Sequence, residues 1–430
     1  MRTALPTLRI RLGFPARLLL GILFLGSGMF WQQHRVLMTH TDMTTTHSST
    51  LSSSLTDGFS FHSTQTHANR RNGTVRTKVK DEPKNSSNSK YFVVGNHTCS
   101  VNGKRLSFPT VPQFIIAGAQ KSGTTALFEF LNEHPDIQGS LTPEAHFFDW
   151  YYPSDDISRH EWLAAKSLPD PLPADDLLCA IQKAYSENFN VTLPDKLYFE
   201  KSPSYLFLTK IPSAIASTCF WKPKIVVILR NPIDRAIAHY RMHVRTYGRS
   251  FEDFVLEEVD HMRHIGLSTA PLPTHWNLDP NDPGFAIPAL SSKAMSEDLH
   301  WKHYRKMFSN NYLQRGMYIT QLEHWLPYFP LAKGAGDEDG GPEHEEGASL
   351  LVLNYEQFKL DPAPTFARLL RFVGAPPFVP AKGFGTVHNS HEYRGDQMLP
   401  ETRRYLKALF RPYNQFLADK LGEDWRGVWD

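Results

Sequence analysis

Gly118-Ala119-Gln120-Lys121-Ser122-Gly123-Thr124-Thr125 is a stretch whose residue types and order suit the binding of an anion. Glycines let a backbone approach a ligand closely, and the amides that open a following helix point their N–H groups at it. Lys121 adds a point charge, and the hydroxyls of Thr124 and Thr125 can donate hydrogen bonds. The order departs from the GxxxxGK(S/T) loop of nucleotide triphosphatases, because here the lysine precedes the second glycine. Taken alone, the segment is either a phosphate loop or an ordinary turn between a strand and a helix. No Asp/His cluster with the spacing of metal ligands accompanies it, so no metal is expected.

Such a loop has to be held by rigid elements. Phe114–Gly118 reads as a short buried strand and Leu127–Glu133 as the helix behind it. Lys224–Arg230, followed at once by Asn231-Pro232, reads as a second buried strand, and Leu350–Asn354 as a third. Nearly continuous apolar strands separated by helices predict an α/β fold, with a central parallel sheet covered on both faces. Helices are expected at 172–188, 232–246, 250–262, 296–308, 315–328, 363–373 and 401–420. Leu267–Pro288, rich in proline, reads as a long ordered loop or lid, and Ala332–Ala348, rich in glycine and acid, as a solvated loop tip. A single catalytic domain with long insertions accounts for the body.

The chain has 430 residues, with Lys+Arg 46 against Asp+Glu 44 and a formal charge of +2, too balanced for a bulk nucleic-acid binder. Cys99, Cys179 and Cys219 show no CxxC spacing, which argues against a zinc ribbon and a disulfide scaffold and leaves an odd thiol. Near the N-terminus Arg2, Arg9, Arg11 and Arg17 lead into the apolar run Leu18–Trp31, extended back by Phe14, Pro15 and Ala16. We read 1–13 as a cytosolic tail, 14–31 as a signal anchor and 32–99 as a disordered glycosylated stem, with the folded domain at 100–430. A cleaved signal and an organelle transit peptide are the alternatives for the N-terminal segment. The stem is crowded with Ser, Thr and His, and sequons lie at Asn72, Asn85, Asn96 and Asn190. This is the layout of a Golgi transferase, single-pass type II with its catalytic domain lumenal.

Beyond the loop, several ordered segments carry a family resemblance: FIIAGAQKSGTTAL, PEAHFFDW at 143–150, YFEKSPSYLF at 198–207, KIVVILRNPIDRAIAHY at 224–240, GMYITQLEHWLPYFP at 316–330, LLVLNYEQF at 350–358 and LFRPYNQFLADKLGEDW near the C-terminus. The chain resembles the sulfotransferase superfamily from about residue 110 to 427, and within it the glycosaminoglycan branch of heparan sulfate 3-O-sulfotransferases and N-sulfotransferases. The resemblance implies a P-loop-like α/β fold. The implied donor is 3′-phosphoadenosine 5′-phosphosulfate (PAPS), and the implied acceptor a carbohydrate hydroxyl or amino group, on an anionic polysaccharide.

By this resemblance Lys121, Ser122, Gly123, Thr124 and Thr125 cradle the 5′-phosphosulfate, and Arg230 holds the 3′-phosphate; the alternatives for Arg230 are a helix cap and a surface ion pair. The family's serine eight residues after that arginine is here Ala238, with His239 or Tyr240 as possible stand-ins, and the family's paired late-loop cysteines are absent. Arg394-Gly395 correspond loosely to a basic turn that covers the cofactor. Glu144 matches the general base of the glycosaminoglycan branch, while a histidine serves in the small-molecule branch, so His146 competes for the role; both acting in support is a third option. In an extended segment the two would share a face. Lys201 matches a lysine near the transferring group, with Glu200 as its candidate orienting partner and a plain surface ion pair as the alternative. Phe147, Phe148 and Trp150 are expected in walls and core, and Tyr318 and Trp325 in the core. Two other readings compete: another P-loop nucleotide-dependent transferase, such as a kinase, and a non-catalytic relative that binds polysaccharide.

Overall fold

In the apolar runs, residues two apart project to the same side and neighbours to opposite sides. Both sides are buried in the computed structural model. Strands β3 (Phe114–Gly118), β4 (Ile137–Gly139), β5 (Leu197–Lys201), β6 (Lys224–Leu229) and β7 (Leu350–Asn354) form a parallel sheet in the order β4-β5-β3-β6-β7. Ile115, Ala117, Ile225, Val227, Leu350 and Val352 join one hydrophobic cluster, and Phe114, Ile116, Val226, Ile228, Leu351 and Leu353 join another. The two faces of the sheet thus supply two cores, as expected of parallel strands covered by helices.

The structure describes residues 94–193, 195–273, 276, 278–285, 311–332, 347–381, 383–384 and 398–429. The expected tail, anchor and most of the stem lie outside these residues, as do the helix at 296–308, most of the acid-rich insertion, and Arg394-Gly395. Among the described residues no helix is long and apolar enough to cross a membrane.

The sheet is flanked by α1 (Thr124–Asn132), α2 (Asp156–Ala165), α3 (Ala174–Ser186), α4 (Ile211–Thr218), α5 (Pro232–Tyr247), α6 (Phe251–His264), α7 (Tyr318–Trp325), α8 (Tyr355–Leu360), α9 (Pro362–Val373) and α10 (Pro400–Leu421). Local chemistry sets several of their starts. Ser250 and Asp253 close a capping box on α6, as Asp155 and Ser158 do on α2, and proline stands in the first turn of α5, α9 and α10. Tyr318 and Trp325 are core residues, but each keeps its polar atom satisfied: the Tyr318 hydroxyl donates to the Arg230 carbonyl (2.8 Å) and the Trp325 indole N–H to the Leu206 carbonyl (3.2 Å).

The folded body begins earlier than the sequence suggests. Strand β1 (Asn96–Val101) pairs antiparallel with β2 (Lys104–Pro109) about an Asn102-Gly103 turn, both residues having positive φ (48° and 74°). That is the geometry Asn-Gly favours in a tight hairpin. The segment 94–99 therefore belongs to the fold and not to the stem. Cys99 on β1 is disulfide-bonded to Cys179 on α3, leaving Cys219 as the buried free thiol. Around the bridge Val101, Phe108 and Ala180 make a small third cluster. The cross-link closes a loop with a sequence separation of 80, so replacing both cysteines by serine should lower stability by about 2–4 kcal/mol. Chemical denaturation of the double variant checks this, and an unchanged midpoint would show that the hairpin docks without the bridge.

Candidate active site

Strands β3, β5 and β6 end side by side, and the carboxyl ends of parallel strands are where ligands bind in open α/β sheets. The turn after β3 is tight. A Cβ on Gly118 would lie 2.6 Å from the Cβ of Leu206, and one on Gly123 would lie 2.9 Å from the Tyr355 ring. Gly123 opens α1 at φ 87°, and Lys121 also has positive φ (69°). No side chain caps α1 and no acidic residue occupies its first turn, so its N-terminus presents amides and positive potential to the turn.

The charge around this turn is one-sided. Burial lowers the Lys121 pKa, the positive charges of Arg230 and Arg235 lower it further, and only Glu144 opposes them. The Arg230 guanidinium donates to the Lys121 carbonyl (3.1 Å) and lies 4.9 Å over the Tyr355 ring. Arg230 is not the cap of α5: the Asn231 side chain accepts from the amides of Ile233 and Asp234 (3.0 and 3.3 Å). Arg235, one turn into α5, is fully buried and donates to the Tyr312 carbonyl. Ala238 lies half-buried on the same helix. Of the suggested stand-ins, the Tyr240 hydroxyl donates to the Arg249 carbonyl (2.7 Å), and His239 is buried edge-on against Tyr312.

Glu144, His146 and Lys201 come together beside the turn. Lys201 Nζ donates to Glu144 Oε1 (2.8 Å), and the same ammonium reaches Thr125 Oγ1 at 3.5 Å. Glu144 Oε2 pairs with His146 Nε2 (3.0 Å), and His146 Nδ1 with Asp149 Oδ2 (2.9 Å). The Ser204 hydroxyl also donates to that Asp149 oxygen, and Ser202 Oγ accepts from the His146 amide (3.0 Å). His146 is not extended but left-handed (φ 51°), so the segment folds back and the two side chains meet by a turn and not by strand alternation. Trp150 is no core residue. It stacks flat on the imidazole (3.8 Å between centroids, 5° between planes) and is half-exposed, whereas Phe147 and Phe148 are buried as expected.

Protonation follows from these contacts. Burial alone would raise the Glu144 pKa, but the hydrogen bond from His146 and the charge and hydrogen bond of Lys201 outweigh it and hold the carboxyl down to about 2. Burial would lower His146, yet hydrogen bonds to Asp149 and Glu144 and the charges of both raise it to about 9. At neutral pH His146 is therefore an imidazolium paired with the Glu144 carboxylate.

Glu200 is not the partner of Lys201. Adjacent strand residues face opposite ways, so Lys201 lies over Phe128 of α1 while Glu200 turns to the other core, where it accepts from the Tyr185 hydroxyl (2.7 Å). Burial pushes Glu200 up to about 8 and keeps it neutral. Nor is Lys201 in a surface ion pair, being only 2% exposed. Asp149, Ser204 and Arg235 are site residues that sequence reasoning passed over. For Asp149 the available signal was its position three residues after His146, one helical turn on. Among the described residues, no group of three His, Cys, Asp or Glu could hold a metal ion.

Comparison with known proteins agrees with this geometry. The family described as Sulfotransferase domain matches residues 111–381. Heparan sulfate glucosamine 3-O-sulfotransferase 3B1 of Mus musculus is 26% identical over 342 residues, covering 74% of this chain and 65% of the relative, so the chain spans just under two thirds of that relative's length. Bifunctional heparan sulfate N-deacetylase/N-sulfotransferase 4 of Mus musculus is 26% identical over 330 residues, covering 72% of this chain and 30% of the relative. Membrane-associated sulfotransferase kil1 of Dictyostelium discoideum is 22% identical over 371 residues, covering 77% and 69%. With a family match over more than half its length, laid across the very strand ends that gather Lys121, Glu144, Lys201 and Arg230, the chain belongs to the sulfotransferase domain family.

Proposed function

We propose that the chain is a PAPS-dependent carbohydrate sulfotransferase, moving a sulfuryl group to a hydroxyl or amino group of an anionic, glycosaminoglycan-like polysaccharide. The observation that carries this reading is the position of one ammonium. Lys201 Nζ touches Glu144 on one side and Thr125, in the first turn of α1, on the other, so a proton acceptor and an anion-binding turn are joined through a single buried cation. The donor supplies a sulfuryl group on a phosphate leaving group. The uncapped start of α1, the backbone pressed close at Gly118 and Gly123, and the excess positive charge of Lys121, Arg230 and Arg235 fit such an anion.

Transfer of this kind depends mostly on positioning and electrostatics. The acceptor oxygen or nitrogen forms a bond to sulfur as the sulfur–oxygen bond to the phosphate breaks, and the acceptor's proton leaves to a base. His146 already holds its proton at neutral pH, so Glu144 is the group left to take it. Lys201 holds Glu144 weakly basic while the donor is absent. A sulfuryl group beside Thr125 offers the ammonium a second anion, and whatever attraction it gives up at Glu144 makes that carboxylate a better base. His146, fixed by Asp149 and Trp150, orients Glu144. The heparan sulfate sulfotransferase relatives support the polysaccharide acceptor, and the membrane-associated relative supports the membrane association. On the sequence pattern at 14–31 we extend the proposal to a type II Golgi membrane protein, which predicts resistance to carbonate extraction and endoglycosidase-sensitive mass at Asn72, Asn85 or Asn96.

Two substitutions separate the donor site from the chemistry. Lys121→Ala should weaken binding of the desulfated donor by about 1.5–3 kcal/mol. Glu144→Gln should leave that binding nearly unchanged while transfer of labelled sulfate from PAPS falls by about 10² to 10⁴. Near-normal turnover in Lys121→Ala would sink the donor site, and an active Glu144→Gln beside a dead His146→Ala would transfer the role of base to His146.

The pH profile follows from the imidazolium. Glu144 is ionised well below neutrality, and His146 keeps its proton until pH rises through about 9, so kcat/KM should be flat across the neutral range and fall above about pH 9. Asp149→Asn removes one of the two anions that raise His146, so the alkaline fall should move to lower pH by roughly one unit or more. An unmoved alkaline limb would show that it reports another group.

A further inference from the structure

Away from the strand ends, a cavity of about 370 Å³ lies between the β1–β2 hairpin, α2 and α3. Its walls include Asn102, Lys104, Trp162, Lys166, Lys183 and Glu187. Three ammonium groups thus face one carboxylate. Glu187 pairs with Lys183 at 3.0 Å and approaches Lys166 at 4.0 Å, and no ion pair of Lys104 is found among the described residues. Lys166, Lys183 and Glu187 are all partly exposed (44%, 34% and 53%), so a ligand can reach them without unfolding anything. Trp162 is half-buried, packed on the small cluster around the disulfide and on the main core, so the indole is a fixed wall. The Cys99–Cys179 bridge ties the hairpin to α3 and fixes the two sides of the cavity relative to each other.

This combination selects a chemical class. An aromatic wall suits the apolar face of a sugar ring, and lysines serve as point charges for sulfate or carboxylate groups carried on its edge. The volume falls in the roughly 300–1,000 Å³ range of small-molecule sites. Position adds a second argument. Glu187 is followed by Asn188, whose carbonyl accepts from the Leu141 amide (2.9 Å), and Leu141 is three residues before Glu144. With about 3.8 Å between successive Cα atoms and at most about 3.6 Å per residue of extended chain, that path puts the cavity's edge within about 20 Å of the candidate base. A polysaccharide several units long spans that distance.

We propose that this cavity is a second binding site, taking a sulfated or carboxylated sugar unit of the polysaccharide whose other part occupies the transfer site; this rests on the sulfotransferase reading given above. A polymer held at two points gains affinity without any new contact at the reacting atom. Single exposed ion pairs contribute little, but a polyanion that releases counterions at several cations binds with a strong salt dependence.

The test is the full chain carrying Lys104→Gln and Lys166→Gln, with a long heparin fragment as probe. Binding of the desulfated donor should match wild type, confirming that the fold and the transfer site are intact. Affinity for heparin should fall by about tenfold, and its dependence on log salt should flatten by about one power per ammonium removed. In turnover, KM for a long acceptor should rise by about tenfold with kcat unchanged, while a short oligosaccharide acceptor that cannot reach the cavity should be unaffected. Heparin affinity within twofold of wild type, equal losses for long and short acceptors, or no heparin binding by the wild-type chain would each overturn the site. If the wild type binds heparin through these lysines yet transfers no sulfate, the site stands and the enzymatic reading falls.

Discussion

Lys201 organises the centre of this molecule. An ammonium at the end of a central strand, 2% exposed, is tolerable only with a carboxylate in contact, because an unpaired buried charge costs several kcal/mol. Glu144 meets that need at 2.8 Å, and in doing so fixes the 143–150 segment against the sheet. The Glu144 carboxylate is then close enough to organise His146, and His146 in turn Asp149 and Ser204. A chain of alternating charges runs from the core to the half-exposed indole of Trp150, and each member is oriented by the one before it. Because Lys201 also reaches Thr125, the same requirement joins this chain to the turn after β3.

The two halves of the site have opposite electrostatic character. Around Glu144 cations and anions alternate and nearly compensate. Around Lys121 the cations accumulate: Arg230 and Arg235 both depress its pKa, and no acid sits at the start of α1. An excess of positive charge in a partly buried place is costly without an anion and well suited to receiving one. The other face of β5 shows the contrasting solution. Glu200 Oε1 accepts from the Tyr185 hydroxyl, and burial pushes the carboxyl up to about 8, so it is neutral and adds no field of its own at neutral pH.

At the periphery the sequence departs from the pattern it resembles. Ala238 stands where a serine is usual, and the neighbouring His239 and Tyr240 are taken up by core packing and by the Arg249 carbonyl. The Cys99–Cys179 disulfide braces the hairpin on α3, and the late-loop sequence 383–400 contains no cysteine.

Local order in the sequence determined β3, β6 and β7, the turn from Gly118 to Thr125, and helices α3, α5, α6, α9 and α10, because apolar alternation, glycine, proline and caps act over a few residues. The β1–β2 hairpin about Asn102-Gly103 was not read from the sequence, because it adjoins a stretch whose composition reads as stem. The sequence also singled out Lys121, Glu144, His146, Lys201 and Arg230, which the fold gathers at the ends of three strands. What only the tertiary structure decided was which charge meets which. Glu200 and Lys201 are neighbours in the chain and strangers in space, since one step along a strand reverses the side chain. Glu144 and Lys201 are 57 residues apart and in contact, and Cys99 and Cys179 are bonded across a separation of 80. Such pairings depend on the packing of whole elements against each other, and no pattern of a few residues encodes them.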